Sequence, residues 1–497
     1  MTNRNVERVS LPIILCGERR EPGTQPLIVE YDSGLEVALY RPTAEDARRI
    51  VASDRRALQA LSIDDITIFF DKAAAAWRQP DNRWRRMAIE LGTRMTGYAR
   101  PMIEADCNLL ATTLERAHQY DFIEADLGDP MLLDDWTRTK AIYTRCWPRG
   151  LIAHVMVGNV PMASLFTIYR SLVTKNVTAT KLPKRDVATA LAFANCIFET
   201  DPDHPVTRAL STLYWEPGSD VEGIILGAAD AVSVWGRGPT LESVRGRLPH
   251  NTDLIDFGPK RSLAVLLDGI SDWGRCGMRV AFDVMAYDQE ACFSVQEVFS
   301  LAGAEQLISP LSKWLTLYGL GVPRRPLGPD GEVHIHRARN EAMAEGWKVI
   351  APEGGGTGWT IVVTDGPAKL SEHPLSRFVY VHPVQKVEQI LEHIDRDVQT
   401  VSVEPFERIW EVADPLTRAG ADRIVQIGRH SKIRPGAVHD GFHPMRRMVR
   451  FASIERGVKL KYRFLSEPAE VIEKRLYERV VEPYRDEIER EWATRGK

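Results

Sequence analysis

The chain has no run of roughly eighteen apolar residues, the length a helix needs to cross a bilayer, and residues 1–8 lack the basic-then-apolar order of a secretory signal. Cysteine is also scarce: Cys16, Cys107, Cys146, Cys196, Cys276 and Cys292 are scattered, with no C-x-x-C pair. That spacing argues against a disulfide framework and against a zinc site built from paired cysteines. The expected location is a reducing cytoplasm. A one-signed field is missing too, since 64 basic and 68 acidic residues leave a formal charge of −4. Nucleic acid and stable membrane insertion are therefore not expected partners. Repeats and low-complexity segments are absent. What is present is an ordinary globular composition, 44% hydrophobic and 27% charged, over 497 residues. A chain of that length needs at least two hydrophobic cores.

Periodicity divides the chain into two textures. Short strands are expected at 11–15, 27–31 and 35–40, followed by a helix opening at Thr43 and further helices over 64–77, 83–96 and 102–117. From residue 147 strands and helices alternate: strands at 150–157, 176–182, 223–226, 231–235 and 263–267, helices at 162–173 and 186–199. That alternation predicts an open α/β sheet with ligands at the carboxyl ends of its strands. A second α/β segment runs from about 262 to 440, with strands near 349–351, 360–364, 378–381 and 424–427, and a surface loop at 323–331 rich in Pro and Gly. The tail 456–497 suggests helices packing on the body or on a partner subunit.

Several residues can carry chemistry, each beside a plainer use. Cys292, in Asp288-Gln289-Glu290-Ala291-Cys292, is either core packing or a nucleophile. Asn159, in the turn Gly158-Asn159-Val160-Pro161, can stabilise an oxyanion or satisfy its own backbone. Lys181, Lys184 and Arg185 sit between a strand and a helix, where cations suit phosphate or simply face water. Trp235-Gly236-Arg237-Gly238 is weak evidence for a dinucleotide fingerprint without its third glycine, and the glycines at 354–358 read equally well as a flexible loop. Asp256, ahead of Phe257-Gly258-Pro259-Lys260, is either a base with a raised pKa or a helix cap. His334 and His336 alternate along a possible strand without a third ligand, so no metal is expected. His439-Asp440-Gly441 reads as a turn holding either a proton-handling or a structural pair.

The order of these segments, from Gly158-Asn159-x-Pro161 through Lys181, Trp235-Gly236 and Asp256-Phe257-Gly258-x-Lys260 to Cys292, resembles the aldehyde dehydrogenase superfamily over most of the chain. More narrowly it resembles the LuxC-type long-chain acyl-CoA reductases, through Asp288-Gln289-x-Ala291-Cys292, the Gly-Asn-Val-Pro turn, and Gly436-x-x-His439-Asp440-Gly441 followed by Met448 to Phe451. The resemblance implies an α/β, aldehyde dehydrogenase-like fold. Residues 1–125 and 147–257 would form a Rossmann-like cofactor domain, 126–146 an oligomerisation flap, 258–440 the catalytic domain, and 441–497 a segment packed on the body or a partner subunit. It implies reduction of an acyl-CoA or acyl-carrier thioester to an aldehyde through a thioester on Cys292, with Asn159 and the Cys292 N–H as oxyanion hole.

The same resemblance aligns Asp256 with the superfamily's glutamate base. It places Lys181 and Gly236, with Gly258, at the cofactor, and Lys184 where NAD-preferring members carry glutamate, which favours NADPH. The usual glutamate-phenylalanine motif for the nicotinamide ribose is missing, with Glu372 the nearest candidate to replace it. A homo-oligomer and an acyl-protein synthetase partner are further implications. Oxidation of aldehydes, acyl transfer and a non-catalytic scaffold remain rival readings.

Overall fold

The structure is a computed structural model that describes residues 6–139, 142–236, 238–370, 372–455, 477–487 and 489–490. Arg237 and most of the tail 456–497 lie outside the described residues. Two seven-stranded sheets organise the chain. In the first, the strand order runs Asp253–Phe257, Ala231–Trp235, Leu151–Val155, Val177–Lys181, Leu210–Leu213, Ile13–Leu15, Glu18–Arg20. The first five are parallel, and the two amino-terminal strands close one edge antiparallel. The chain enters at Leu151–Val155, extends to one side, then returns to lay Ala231–Trp235 against the other side of the same strand. That reversal is a topological switch point, where an open parallel sheet leaves a crevice beyond its carboxyl ends.

These strands are buried along most of their length, which is why Leu151–Val155 reads as a nearly continuous apolar run. The helix Pro161–Val173 starts at a proline, a residue suited to the first helical position. The helices Ile63–Arg78, Arg83–Thr96 and Arg100–Thr113 cover this half, packing on Ala188–Thr200 and Pro161–Val173. A three-stranded sheet, Val449–Glu455 with Ile142–Pro148 and Thr137–Thr139, stands beside them. The stretch 126–146 thus begins in the end of the helix Arg116–Leu127 and runs into the first two strands of this sheet.

In the second sheet the order is Lys348–Ile350, Thr360–Val363, Phe378–Pro383, Val295–Ser300, Arg261–Leu266, Val398–Glu404, Arg423–Gln426, parallel but for the first strand. Alternation along Arg261–Leu266 sends Leu263 and Val265 into one core with Ile390 and Leu416. Ala264 and Leu266 go into the other with Val280 and Leu307, as a period of two requires.

Two expected elements differ. Residues 223–226 lie in the helix Asp220–Ala228, started by Ser219, whose hydroxyl accepts the Glu222 N–H; a short apolar run does not distinguish strand from helix, and the cap decides. His334 and His336 lie in the helix Pro329–Ala344, where residues two apart leave on different faces, and its Pro329 start ends the expected loop early.

The link between sheet and thiol is unusual. Tyr287, Asp288 and Gln289 have φ of 50°, 50° and 65°, and Leu375, Ser376 and Arg377 have φ of 55°, 60° and 65°. Non-glycine residues there are strained by about 1–3 kcal/mol each and persist only where surroundings fix them. The two turns fix each other. Asp288 Oδ1 accepts from Arg377 Nε at 2.7 Å with both side chains 1% exposed, and its backbone carbonyl accepts the Ser376 N–H at 2.9 Å. Gln289 Nε2 donates to the Val295 and Phe378 carbonyls, and its Oε1 accepts the Phe378 N–H at 2.7 Å.

Removing one member of a buried ion pair strands the other. Arg377→Met should lower the unfolding free energy by about 3–5 kcal/mol, read as a drop in denaturant midpoint, and Asp288→Asn added to it should restore most of the loss. A double variant no more stable than the single would show that the pair does not lock the turns.

Candidate active site

The carboxyl ends of the first sheet and the Cys292 turn of the second half face one cavity of about 980 Å³. Asn159, Lys181, Lys184, Gly236, Gly258 and Cys292 all line it. Asp256 does not. Its side chain is 42% exposed and pairs with Arg245 at 3.3 Å, turned from the cavity that its neighbour Phe257 lines.

Cys292 Sγ accepts from Gln399 Nε2 at 3.2 Å, and the same nitrogen donates to Asp440 Oδ1 at 2.7 Å. Burial pushes the thiol up to about 12; the Asp440 carboxylate adds to that rise, while the Gln399 N–H and the Arg423 cation oppose it. Burial also raises Asp440 to about 6, against its bond from Gln399 and the charge of Lys260. The backbone N–H of Cys292 has no acceptor among the described residues, while its carbonyl accepts from Ser262 Oγ at 2.7 Å. Asn159 Nδ2 donates to the Glu290 carbonyl at 2.6 Å, leaving its second hydrogen uncommitted, and its Oδ1 is buried without a partner.

Glu290 gathers the charges around this turn. Its carboxylate accepts from Arg185 and Arg325 at 2.5 Å each and from the Tyr98 hydroxyl at 2.5 Å. Burial alone would raise its pKa, but Arg185 and the other donors outweigh it and the net shift is downward. Arg185, grouped in sequence with two lysines, is thus committed to the catalytic turn. Lys181 and Lys184 have no ion pair among the described residues and remain available to an anion in the cavity; burial lowers the pKa of Lys181, whose side chain forms part of the wall.

A nicotinamide dinucleotide suits the cradle at the switch point. Trp235 and Phe257 stack at 3.9 Å, the Trp235 indole N–H is buried without a partner, and a Cβ at Gly258 would meet nothing within 4 Å. Gly236 is tighter, since a Cβ there would come 3.2 Å from Thr240. Glu372 and His373 line the opposite wall. His439 lies edge-on to Trp235 and Phe257, and burial pushes its pKa down to about 3, so it is a neutral ring against the aromatic pair.

Sequence reasoning missed Gln399. The one signal for it is an amide in the strand Val398–Glu404, whose first six residues are buried.

Solved structures with a similar fold include aldehyde dehydrogenases. Aldehyde dehydrogenase 21 from Physcomitrella patens superposes with a TM-score of 0.70 at 13% identity, covering 92% of this chain and 100% of that one. The NADP-dependent glyceraldehyde-3-phosphate dehydrogenase of Bacillus halodurans C-125 gives 0.69 at 12% identity, covering 90% and 99%. The fold is that of the aldehyde dehydrogenase superfamily.

Residues 58–451 match the sequence model of the acyl-CoA reductase family LuxC, and the chain belongs to that family. Among its relatives, the long-chain acyl-protein thioester reductase of Vibrio harveyi is 33% identical over 405 residues, covering 80% of this chain and 84% of that one. The enzyme of the same name from Aliivibrio fischeri is 32% identical over 402 residues, covering 80% and 83%.

The contacts at the thiol have opposite signs. At pH 8, above the Asp440 pKa, Asp440→Asn removes a negative charge and should speed iodoacetamide alkylation of Cys292 severalfold; Gln399→Ala removes a donor to the sulfur and should slow it. Equal rates in both variants would mean that neither group tunes the thiol.

Proposed function

We propose that the protein is an NADPH-dependent acyl thioester reductase that forms an aldehyde through a thioester on Cys292. The observation that carries the reading is the grouping at the thiol: Cys292 in the cavity wall, its own N–H without an acceptor among the described residues, and the Asn159 amide in the same wall. The Cys292 sulfur attacks the thioester carbonyl, the new C–S bond forms, and the carrier leaves as a thiolate that takes up a proton. Thiol for thiol, this exchange is nearly isoenergetic. The Cys292 N–H and the second Asn159 N–H stabilise the oxyanion, a contact worth roughly 3 kcal/mol per donor. When bound, reduced nicotinamide supplies the hydride that the acyl carbon needs. Collapse of the resulting tetrahedral oxyanion expels the Cys292 sulfur and releases the aldehyde.

Lys181 and Lys184 would hold the cofactor phosphates, with the unpaired cation of Lys184 favouring a 2′-phosphate and hence NADPH. Gly236 and Gly258 would let the protein backbone approach the cofactor, and Glu372 or His373 would face the nicotinamide ribose. Hydrolysis of the acyl-enzyme would require a carboxylate that activates water beside the thiol. Asp256 is paired with Arg245, and Asp440 meets the sulfur only through Gln399, which favours reduction over the hydrolytic direction. The cofactor half would comprise 1–125 and 147–257, and the catalytic half 258–440. The flap and residues after 441 would join subunits through the three-stranded sheet, whose Phe451 and Ile454 are exposed. The scattered free thiols fit a cytoplasmic location, and among the described residues no helix is long and apolar enough to cross a membrane.

Cys292→Ala should abolish aldehyde formation from acyl-CoA by roughly a thousandfold or more while still binding NADPH, with the acyl adduct on residue 292 missing from the protein mass. Retained aldehyde formation would remove the thioester mechanism. Lys184→Glu should cut the selectivity for NADPH over NADH by about tenfold, the size of a charge-assisted contact; unchanged selectivity in steady-state kinetics would detach Lys184 from the 2′-phosphate.

A further inference from the structure

A second cleft, of about 280 Å³, opens beside the catalytic cavity and is separated from it by one loop. Along residues 427–433 the lining alternates: Gly428, Arg429 and Lys432 face the cleft, while Ser431 and Ile433 face the cavity that holds Cys292. The loop is held in shape from beneath. Buried Asp283 accepts the Gly428 N–H at 2.6 Å and the His430 N–H at 3.3 Å, and His430 Nδ1 bonds the Phe293 carbonyl at 2.7 Å, directly after the thiol. Gly428 has φ of 84° and lies so close to Arg279 that a Cβ would come within 2.9 Å of its side chain.

The charge on this loop is one-sided. No carboxylate occurs between Arg423 and His439, and Arg429, Lys432 and Arg434 are exposed with no ion pair among the described residues. The opposite wall is aromatic. Phe282, 40% exposed, meets Tyr318 at 6.3 Å, and Lys432 Nζ stands 5.9 Å from the Phe282 ring. Arg279 adds a further cation, 3.5 Å from Glu404.

A concave site with aromatic faces and unpaired cations is what a phosphorylated nucleotide needs: rings to cover the base, cations for the phosphates. We propose that this cleft binds the 3′-phosphorylated ADP head of coenzyme A while its pantetheine arm passes the 431–433 segment to deliver the thioester to Cys292. The proposal rests on the acyl thioester reading above and adds where the donor's head sits, on the face of the loop opposite the thiol. The cleft is a recess lined by Phe282 and Tyr318 beside the cations, and this favours coenzyme A over an acidic protein carrier, which would use the exposed cations but not the recess.

The test is the double variant Arg429→Glu/Lys432→Glu in the full chain, with acyl-CoA compared against the same acyl group on N-acetylcysteamine, which has no phosphate. The expected result is a rise of tenfold or more in KM for acyl-CoA, confined to that donor, with the KM for NADPH unmoved. In the unaltered protein the KM for acyl-CoA should rise with salt, since exposed charge contacts are screened, and that dependence should weaken in the variant. Phe282→Ala should also raise the acyl-CoA KM without altering the salt dependence. An equal change for both donors, or none, would overturn the assignment. So would a loss seen only with an acyl-protein donor, which would make the loop a protein-docking surface. Failure of acyl-CoA to acylate Cys292 in the unaltered protein would instead strike the acyl thioester reading itself, so the two failures are distinguishable.

Discussion

The thiol is held in place by two left-handed turns that would each be unfavourable alone. Asp288 and Arg377 are the only charged residues in them, and they meet each other in full burial. A buried ion pair contributes little net stability, because desolvation offsets the attraction, but it is selective: either partner without the other is costly. The pair therefore acts less as a source of stability than as a constraint on register. With Gln289 bonding Val295 on one side and Phe378 on the other, the turn before Cys292 is tied to two adjacent parallel strands at once. Shifting the Phe378–Pro383 strand by one residue would break three side-chain bonds, two from Gln289 and one from Asp288, and release both strained turns. The Asp-Gln that precedes the cysteine is thus explained by geometry three and four residues from the chemistry.

Charge is sorted around that turn by Glu290. Of the cations near the cavity, Arg185 and Arg325 both pair with this one carboxylate, and the Glu290 backbone carbonyl also holds Asn159. The result joins the two halves: Glu290 precedes the thiol, Arg185 follows the strand Val177–Lys181, and the Asn159 amide bonds the Glu290 carbonyl. Lys181 and Lys184 have no such ion pair among the described residues.

How far this was legible in the chain depends on distance. The strands near 151–155, 177–181 and 231–235 and the convergence of Gly158-Asn159, Lys181, Trp235-Gly236 and Cys292 follow from local patterning and from the rule that such sheets expose their carboxyl ends to a ligand; the strands Leu210–Leu213, Val295–Ser300 and Val398–Glu404 and the order of the sheets did not. The 223–226 segment did not, because four apolar residues fit either element and the deciding cap is a single serine. Arg185 read as a phosphate cation because Glu290, its partner, is 105 residues away. Gln399 was invisible for the same reason: its role is defined by Cys292 and Asp440, 107 and 41 residues distant. Asp256 sits where a base was expected, but its strand turns the side chain to Arg245, and alignment carries no information on that.

Burial of Cys292 looks at first like an obstacle, since it disfavours the thiolate that must attack. The penalty falls only on the charged form. A thioester on the same sulfur is neutral and loses nothing by leaving water, so the environment that raises the thiol also favours the acylated state over the free thiolate. Sulfur nucleophilicity rises with pKa, which recovers part of the rate lost to the small ionised fraction. The groups touching the sulfur, an amide N–H from Gln399 and the backbone of Phe293, can support a transient anion but cannot take a proton from water. Asp440 reaches the sulfur only through that same Gln399 nitrogen. Under the proposed mechanism the environment of Cys292 thus favours the neutral acylated sulfur, and an acyl group held in that way is one that waits for hydride.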